Sequence, residues 1–385
     1  MNFNYSEEQL ALQHTLRRFI DKEYGFEKRR TLAKSSEGFS HDVWAEFANI
    51  GLLAIPFPEE FDGLGGNAVD TMLVMEQLGR GLVLEPYLTT VILAGSLIRD
   101  FGSATQKKYL LPAIAHGGLL IALAHSEPGT RYELCNIACS AKVSNEGYVI
   151  NGNKSVVLCG NSADELIVSA RTSGSRCDKA GISLFVVSRN TPGLTMQAYS
   201  TQDGGRAAEI RLNNVQVGKD ALLGTVDNAL AHIERAIDYT IVAMCAEAVG
   251  ILEALNEVTL DYLKTRKQFG QPIGRFQALQ HRMVDMVIAT DQARSMTTLA
   301  AVKVDTQDAA ERRRVVSAAK AYVGQSARSV GQSAIQLHGG MGVVDELIVS
   351  HYFKRLTMIN ATFGDVEHHL GNFSDSLLHV EMAVA

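Results

Sequence analysis

The chain has 385 residues, 46% hydrophobic and 20% charged, with a formal net charge of −6. A chain of this length buries a large core and divides into two or three domains, and its negative balance gives nucleic-acid binding no electrostatic start. The five cysteines (Cys135, Cys139, Cys159, Cys177, Cys245) are odd in number and not grouped with histidines at ligand spacing; they read as incidental thiols in a reducing compartment rather than as a disulfide or metal framework. The N-terminus lacks a basic flank followed by an apolar core, and no apolar run reaches the roughly 18 to 20 residues of a membrane span, so a cytoplasmic protein is expected.

From about residue 5 to 125, apolar residues recur at three- and four-residue spacing, as in Leu10, Leu12, Leu16 and Phe19 and again in Met72, Leu73, Met75 and Leu78. That period predicts a helical domain over 1–121. Ser6 before Glu7 and Glu8 is a helix start, with acidic side chains at the positive end of the dipole. The stretch PFPEEFDGLGG, 56–66, carries three turn signals and predicts an exposed loop. Near residue 120 the pattern changes to short Val-, Ile- and Leu-rich runs broken by Gly, Asn, Asp and Ser. Five or six strands are expected, in a β domain over 122–225, with Asn145-Glu146-Gly147 and Asn151-Gly152 as hairpin turns. From 226 to 385 the period is helical again. It opens with a proline-free stretch from Asn228 to about Arg266, a length that belongs in a bundle. The run Arg312-Arg313-Arg314, beside Asp308 and Glu311, reads as a solvated helix face.

Two segments carry chemistry. In TRKQFGQPIGRFQALQHRMVDM, 265–286, a long helix is expected to end at Phe269-Gly270, turn through Gln271-Pro272 and restart. A cation at Arg266, a planar amide at Gln268 and an aromatic at Phe269 suit a diphosphate with an attached aromatic group. The same spacing fits a helix corner with Phe269 and Phe276 in the core and Gly270 as a C-cap. Further on, Gly339-Gly340 follow Gln336 and His338; adjacent glycines allow a backbone to approach a flat or anionic ligand, or simply form a loop between helices.

Both segments resemble the paired signatures of the acyl-CoA dehydrogenase family, through Arg266, Gln268, Phe269-Gly270, Ile273, Phe276-Gln277, Gln280-His281, Asp285-Met286 and Gln336-Leu337-His338-Gly339-Gly340. In the β region, Ala124-His125-Ser126-Glu127-Pro128 and Gly152-Asn153-Lys154, ending at Ala163-Asp164, resemble two further family elements in the right order. The resemblance covers the whole chain. It implies an α+β, mostly α fold: an N-terminal helical domain, a central β-barrel or sandwich domain and a C-terminal four-helix bundle. The segment HYFKRLTMINATFGDVEHHL, 351–370, is similar to subunits like the small subunit of pimeloyl-CoA dehydrogenase and to steroid side-chain acyl-CoA dehydrogenase subunits.

The resemblance implies FAD, with Arg266, Gln268 and Phe269 meeting its diphosphate and adenosine across a subunit interface, joined by Gln336, Gly339 and Gly340. Phe276, Gln277, Ser126, Val157, Leu158 and Glu367 are implied near the rest of the cofactor. An acyl-CoA substrate is implied beside Thr240, Met244, Phe363 and Gly364. The implied partners are a second homologous subunit in an α2β2 assembly, or further copies in a homotetramer, and an electron-transfer flavoprotein.

The catalytic base is where this chain departs. The family's glutamate position falls on Phe363, which cannot take a proton, and the alternative position on the long helix falls on Thr240. Glu247, one i, i+4, i+7 step along the face of Thr240 and Met244, is a replacement candidate whose burial would raise its pKa, or else a carboxylate paired with an arginine inside the bundle. Asp365 is the other candidate, at a position where the family carries an FAD-contacting threonine; Asp238 is a weaker one, equally explained by a solvated helix face. The family's flavin-covering aromatic is Val156 here and its CoA-contacting arginine is Ile241. Two functions follow: a dehydrogenase with a relocated base, or a partner subunit that completes a neighbour's FAD site without chemistry of its own.

Overall fold

The computed structural model describes residues 5–384, with side chains described through residue 377. In chain order the fold is helical, then β, then helical: α1 (Glu7–Glu23), α2 (Phe26–Lys34), α3 (His41–Asn49), α4 (Ala68–Arg80), α5 (Gly95–Phe101) and α6 (Ala104–Ala115) precede a sheet, and α7 (Leu230–Thr265), α8 (Gln277–Lys303), α9 (Ala309–His338), α10 (Ile348–Ala361) and α11 (Val366–Val384) follow it. By contact density the chain forms two compact units. One comprises the residues up to Thr31, Ala68–Val83 and everything from Ile241; the other comprises Leu32–Asn67 and Leu84–Thr240.

In the first unit, Ser6 starts α1 as expected. Its hydroxyl accepts the Gln9 N–H at 3.2 Å while the Gln9 side chain accepts the Ser6 N–H at 3.1 Å, a reciprocal capping box. Helices α4 and α7 touch backbone to backbone: a Cβ on Gly250 would lie 1.8 Å from the Glu76 carbonyl oxygen, and one on Gly79 would lie 2.1 Å from that of Glu247. This crossing seals Glu76, 1% exposed, against Arg294 of α8, which donates to both its oxygens at 3.0 Å. Burial pushes the Glu76 carboxyl up to about 7, with the arginine pulling the other way. The arginine run is not wholly solvated: Arg312 is 6% exposed and donates to the Thr306 carbonyl, while Arg313 stays outside.

The second unit is built on an eight-stranded sheet: β1 (Ile121–Ala124), β2 (Ser140–Val143), β3 (Gly147–Leu158), β4 (Glu165–Arg171), β5 (Ile182–Ser188), β6 (Leu194–Ser200), β7 (Arg206–Gly218) and β8 (Leu222–Leu223). Their order is β6-β7-β3-β2-β4-β5-β8, with β1 parallel to β4. β6 exceeds the expected count because it lies exposed and has no apolar run, and β8 because it has only two residues. Asn145-Glu146-Gly147 makes the expected turn, where Ser144 N–H donates to the Gly147 carbonyl at 2.8 Å. Asn151-Gly152 does not turn. It lies inside β3 at a register shift, where a Cβ on Gly152 would meet the Cys139 Cα at 2.7 Å. The 56–66 stretch is anchored rather than freely exposed, since Phe57 is 1% exposed and its carbonyl accepts the Gly65 N–H at 2.8 Å. Among the described residues no helix is long and apolar enough to cross a membrane.

Candidate cofactor and substrate site

The long helix α7 stops at Thr265, four residues earlier than its sequence suggests. Lys267–Gln268 (β9) and Gln271–Pro272 (β10) then pair as a two-residue hairpin whose turn is Phe269-Gly270. Both turn residues have positive φ, 53° and 80°, as a hairpin twisted with its strands requires. Gly270 is thus a turn residue and not a helix cap. Phe269 is 89% exposed, touching Phe276 edge-on at 6.0 Å, so it is not core. Arg266, Gln268 and Gln277 are exposed as well.

The second motif closes α9. Gly339 holds φ 60° and ψ −141°, a conformation only glycine adopts readily, and its N–H donates to the Gln336 carbonyl. Between the two motifs, the Tyr262 ring stacks on His338 at 4.3 Å, and the Tyr262 hydroxyl donates to the His338 carbonyl at 3.5 Å. Neighbours of Tyr262 and His338 in sequence, Arg266 and Gln268 on one side and Gln336, Gly339 and Gly340 on the other, are thereby brought to one surface. Tyr262 gave no signal in the sequence beyond its place one turn before Arg266.

The loop 362–365 joins α10 to α11. Phe363 sits at φ 56° and Gly364 at φ 114°; a Cβ on Gly364 would lie 2.5 Å from the His369 ring. Asp365 accepts the His368 N–H at 3.0 Å, the geometry of a helix N-cap on α11. Glu367 is exposed in the first turn of that helix. Glu247 is 4% exposed, and Arg355 donates to both its oxygens, Nε at 2.6 Å and a terminal nitrogen at 2.8 Å. Of the two readings of Glu247, the geometry matches the carboxylate paired with an arginine inside the bundle, and that bidentate pairing competes with a role as base. Met244 is 1% exposed and Thr240 fully buried, its hydroxyl donating to the Ala236 carbonyl of its own helix. Asp238, 7% exposed, is not on a solvated face.

In the β unit, the two motifs are joined by a buried pair that the sequence did not single out. Lys154, fully buried, donates to Glu127 Oε1 at 2.7 Å, to the His125 carbonyl at 3.1 Å and to Ser169 Oγ at 3.0 Å. Glu127 in turn accepts the N–H groups of Ala138 and Cys139 at 2.7 and 3.0 Å. This network fixes the exposed Ser126, whose carbonyl accepts the Ser155 N–H at 2.9 Å. Next along β3 the register slips, and Val156 projects 51% exposed at φ 53°, a rare backbone for a β-branched residue. Glu209 holds that bulge by accepting from Ser155 Oγ at 2.6 Å and from the Val156 N–H at 3.2 Å. Val157 is buried and Leu158 half-buried beside it.

Three family models match the chain in order: the acyl-CoA dehydrogenase N-terminal domain over 6–118, the middle domain over 122–215 and the C-terminal domain over 230–378. The chain belongs to the acyl-CoA dehydrogenase family. A probable acyl-CoA dehydrogenase, YngJ of Bacillus subtilis, is 31% identical over 95% of this chain and 97% of its own length. Among solved structures, the ChsE4-ChsE5 complex from Mycobacterium tuberculosis is similar with TM-score 0.88 and 26% identity over 98% of this chain and 99% of that one. The FAD complex of PigA is similar with TM-score 0.89 and 26% identity, at the same coverage.

The residues present fit the FAD that an acyl-CoA dehydrogenase implies. Arg266 offers a guanidinium for a diphosphate, Gln268 and Gln336 offer amides, and Phe269 offers an uncovered ring. Gly339 and Gly340 would have nothing within 4 Å of an added Cβ, so nothing in this chain's own packing asks for the absence of a side chain at Gly340. A ligand approaching the backbone there would.

Proposed function

We propose that this chain is a subunit of an FAD-dependent acyl-CoA dehydrogenase that forms an α,β-double bond in a CoA thioester. The observation that carries the reading is the surface where the Phe269 hairpin meets the Gln336–Gly340 turn through the Tyr262–His338 stack, since its exposed cation, amides, ring and open glycine backbone match one dinucleotide. Arg266, Gln268, Phe269, Gln336, Gly339 and Gly340 would hold the diphosphate and adenosine; Phe276, Gln277, Ser126, Val157, Leu158 and Glu367 would hold the remainder. When bound, FAD supplies the two-electron acceptor for a hydride leaving the substrate's β-carbon. The protein's own part is to bind the thioester near Phe363 and Gly364 and to deliver its α-proton to a carboxylate, either Asp365 of the same loop or one contributed by the second subunit.

A heteromeric assembly with a second homologous subunit, and an electron-transfer flavoprotein as acceptor, belong to this proposal. Its support is the likeness to the ChsE4-ChsE5 complex and the 351–370 segment similar to steroid side-chain and pimeloyl-CoA dehydrogenase subunits. A steroid side-chain or dicarboxylate thioester is the matching substrate class. A second reading, a partner that completes a neighbour's FAD site, is favoured by one set of facts: phenylalanine at the family's base position, both Glu247 oxygens bound to Arg355, and Asp365 engaged as a cap. Purification decides between them. Chain expressed alone that is yellow and bleaches anaerobically with an acyl-CoA supports the enzyme; colourless chain that acquires flavin only when co-expressed with a homologous subunit supports the partner.

A further inference from the structure

We propose that Lys320 is the positioning residue of the loop 362–365, a buried ammonium that turns the loop's carbonyls into the bundle and so sets the backbone carrying Phe363, Gly364 and Asp365. Its functional meaning rests on the reading of that loop as part of the acyl-CoA site. Lys320, on α9, is 1% exposed. Its Nζ donates to the carbonyls of Ile359 at 2.8 Å, Asn360 at 3.1 Å, Thr362 at 3.1 Å and Gly364 at 2.8 Å. The first two belong to the end of α10, where any buried cation would stabilise the helix terminus. The last two lie beyond the helix, in the loop itself.

The Phe363 carbonyl between these two is held from the same side. His369 Nε2 lies 3.1 Å from the Phe363 oxygen, while its Nδ1 faces Ser317 Oγ, one turn before Lys320 on α9, at 3.2 Å. Three successive carbonyls, 362, 363 and 364, are therefore anchored inward. A phenylalanine at φ 56° persists only where its surroundings over-determine it, and these anchors do so.

Charge on Lys320 is what lets it serve so many acceptors: an ammonium has three N–H donors and no lone pair, whereas a neutral amine has two donors and a lone pair facing the carbonyls. Burial lowers the Lys320 pKa to about 8. The titratable groups facing it are Cys245 of α7, Asp365 of the loop and His369 of α11. Burial holds Cys245 up at about 12 and, with the charge of Lys320, holds His369 down at about 3, so neither changes charge where Lys320 does. A solvated lysine keeps its proton to about 10.5, so opening that returns Lys320 to water takes up a proton above about pH 8, and the loop should become harder to open as pH rises from there.

Amide hydrogen exchange on the full chain, in whatever complex it is purified, tests this. The reporters are the N–H groups of Thr362, His368 and His369, which donate to Met358 O, Asp365 Oδ1 and Asp365 O. Protection, corrected for intrinsic exchange, is expected to be constant below about pH 7 and to rise on the order of tenfold by about pH 9.5, as linkage requires of a lysine that holds its proton less tightly inside the bundle than in water. Lys320→Met is expected to be poorly protected throughout, with no step. A flat wild-type profile, or a Lys320→Met loop protected like wild type, overturns the proposal; if the variant does not fold, the wild-type step decides. Flavin bleaching by an acyl-CoA is read separately: a pH step without bleaching keeps the positioning role and sinks the enzymatic reading.

Discussion

Replacing Arg355 with methionine keeps most of the side-chain stem, removes the guanidinium and leaves a carboxylate that is 4% exposed without its partner. Two short contacts, 2.6 and 2.8 Å, are lost at once. Breaking a buried ion pair from one side costs about 3–5 kcal/mol, because the remaining charge stays in a poor solvent. The Arg355 side chain is 26% exposed, so water softens the pairing and a loss of about 3 kcal/mol is expected for Arg355→Met. Changing Glu247 as well removes the stranded charge. Glu247→Gln/Arg355→Met should therefore lie within about 2 kcal/mol of wild type and be more stable than Arg355→Met alone. Equilibrium urea unfolding of the wild type, both single variants and the double variant measures this cycle. A single-variant loss under about 1 kcal/mol, or a double variant no better than Arg355→Met, would refute the view of Glu247 as a structural charge and return it to candidacy as a base.

Phe269→Ala should leave the chain's own stability within about 0.5 kcal/mol, since the ring is 89% exposed, while lowering the flavin retained through gel filtration; unchanged flavin content would remove Phe269 from the cofactor surface. Asp365→Asn keeps an acceptor for the His368 N–H and should keep wild-type flavin reduction, whereas Asp365→Ala should cost about 1 kcal/mol through the lost cap. Abolished reduction in the asparagine variant would instead identify Asp365 as the proton acceptor. His369, held down to about 3 by burial and by Lys320, stays neutral in the folded chain while the unfolded chain takes up a proton near the ordinary value of about 6.5. Its contribution is full above that value and is lost as pH falls toward 3, so acid unfolding of His369→Gln should have a shallower limb; an identical limb in the two proteins counts against the assignment.

What the residues determine by themselves is local. The Ser6 cap, the helical periods, the Val- and Ile-rich strands and the Asn145-Glu146-Gly147 turn depend on neighbours a few positions away, and each could be read before any coordinates. The strand β6 escaped because an exposed strand needs no apolar run, and Asn151-Gly152 misled because the same two residues serve a hairpin or a bulge, a choice made by packing against Cys139. The motif residues of the proposed cofactor surface were also legible, through the resemblance of whole segments. Their meeting was not: Tyr262 and His338 are 76 residues apart, Glu247 and Arg355 are 108 apart, and Lys320 reaches carbonyls up to 44 positions away. Whether a buried glutamate is a base or half of an ion pair depends on which guanidinium the fold delivers to it, and only tertiary structure decides that. At the family's base position, sequence alone established that Phe363 cannot take a proton, and the folded chain supplied the anchors that hold that phenylalanine where it is.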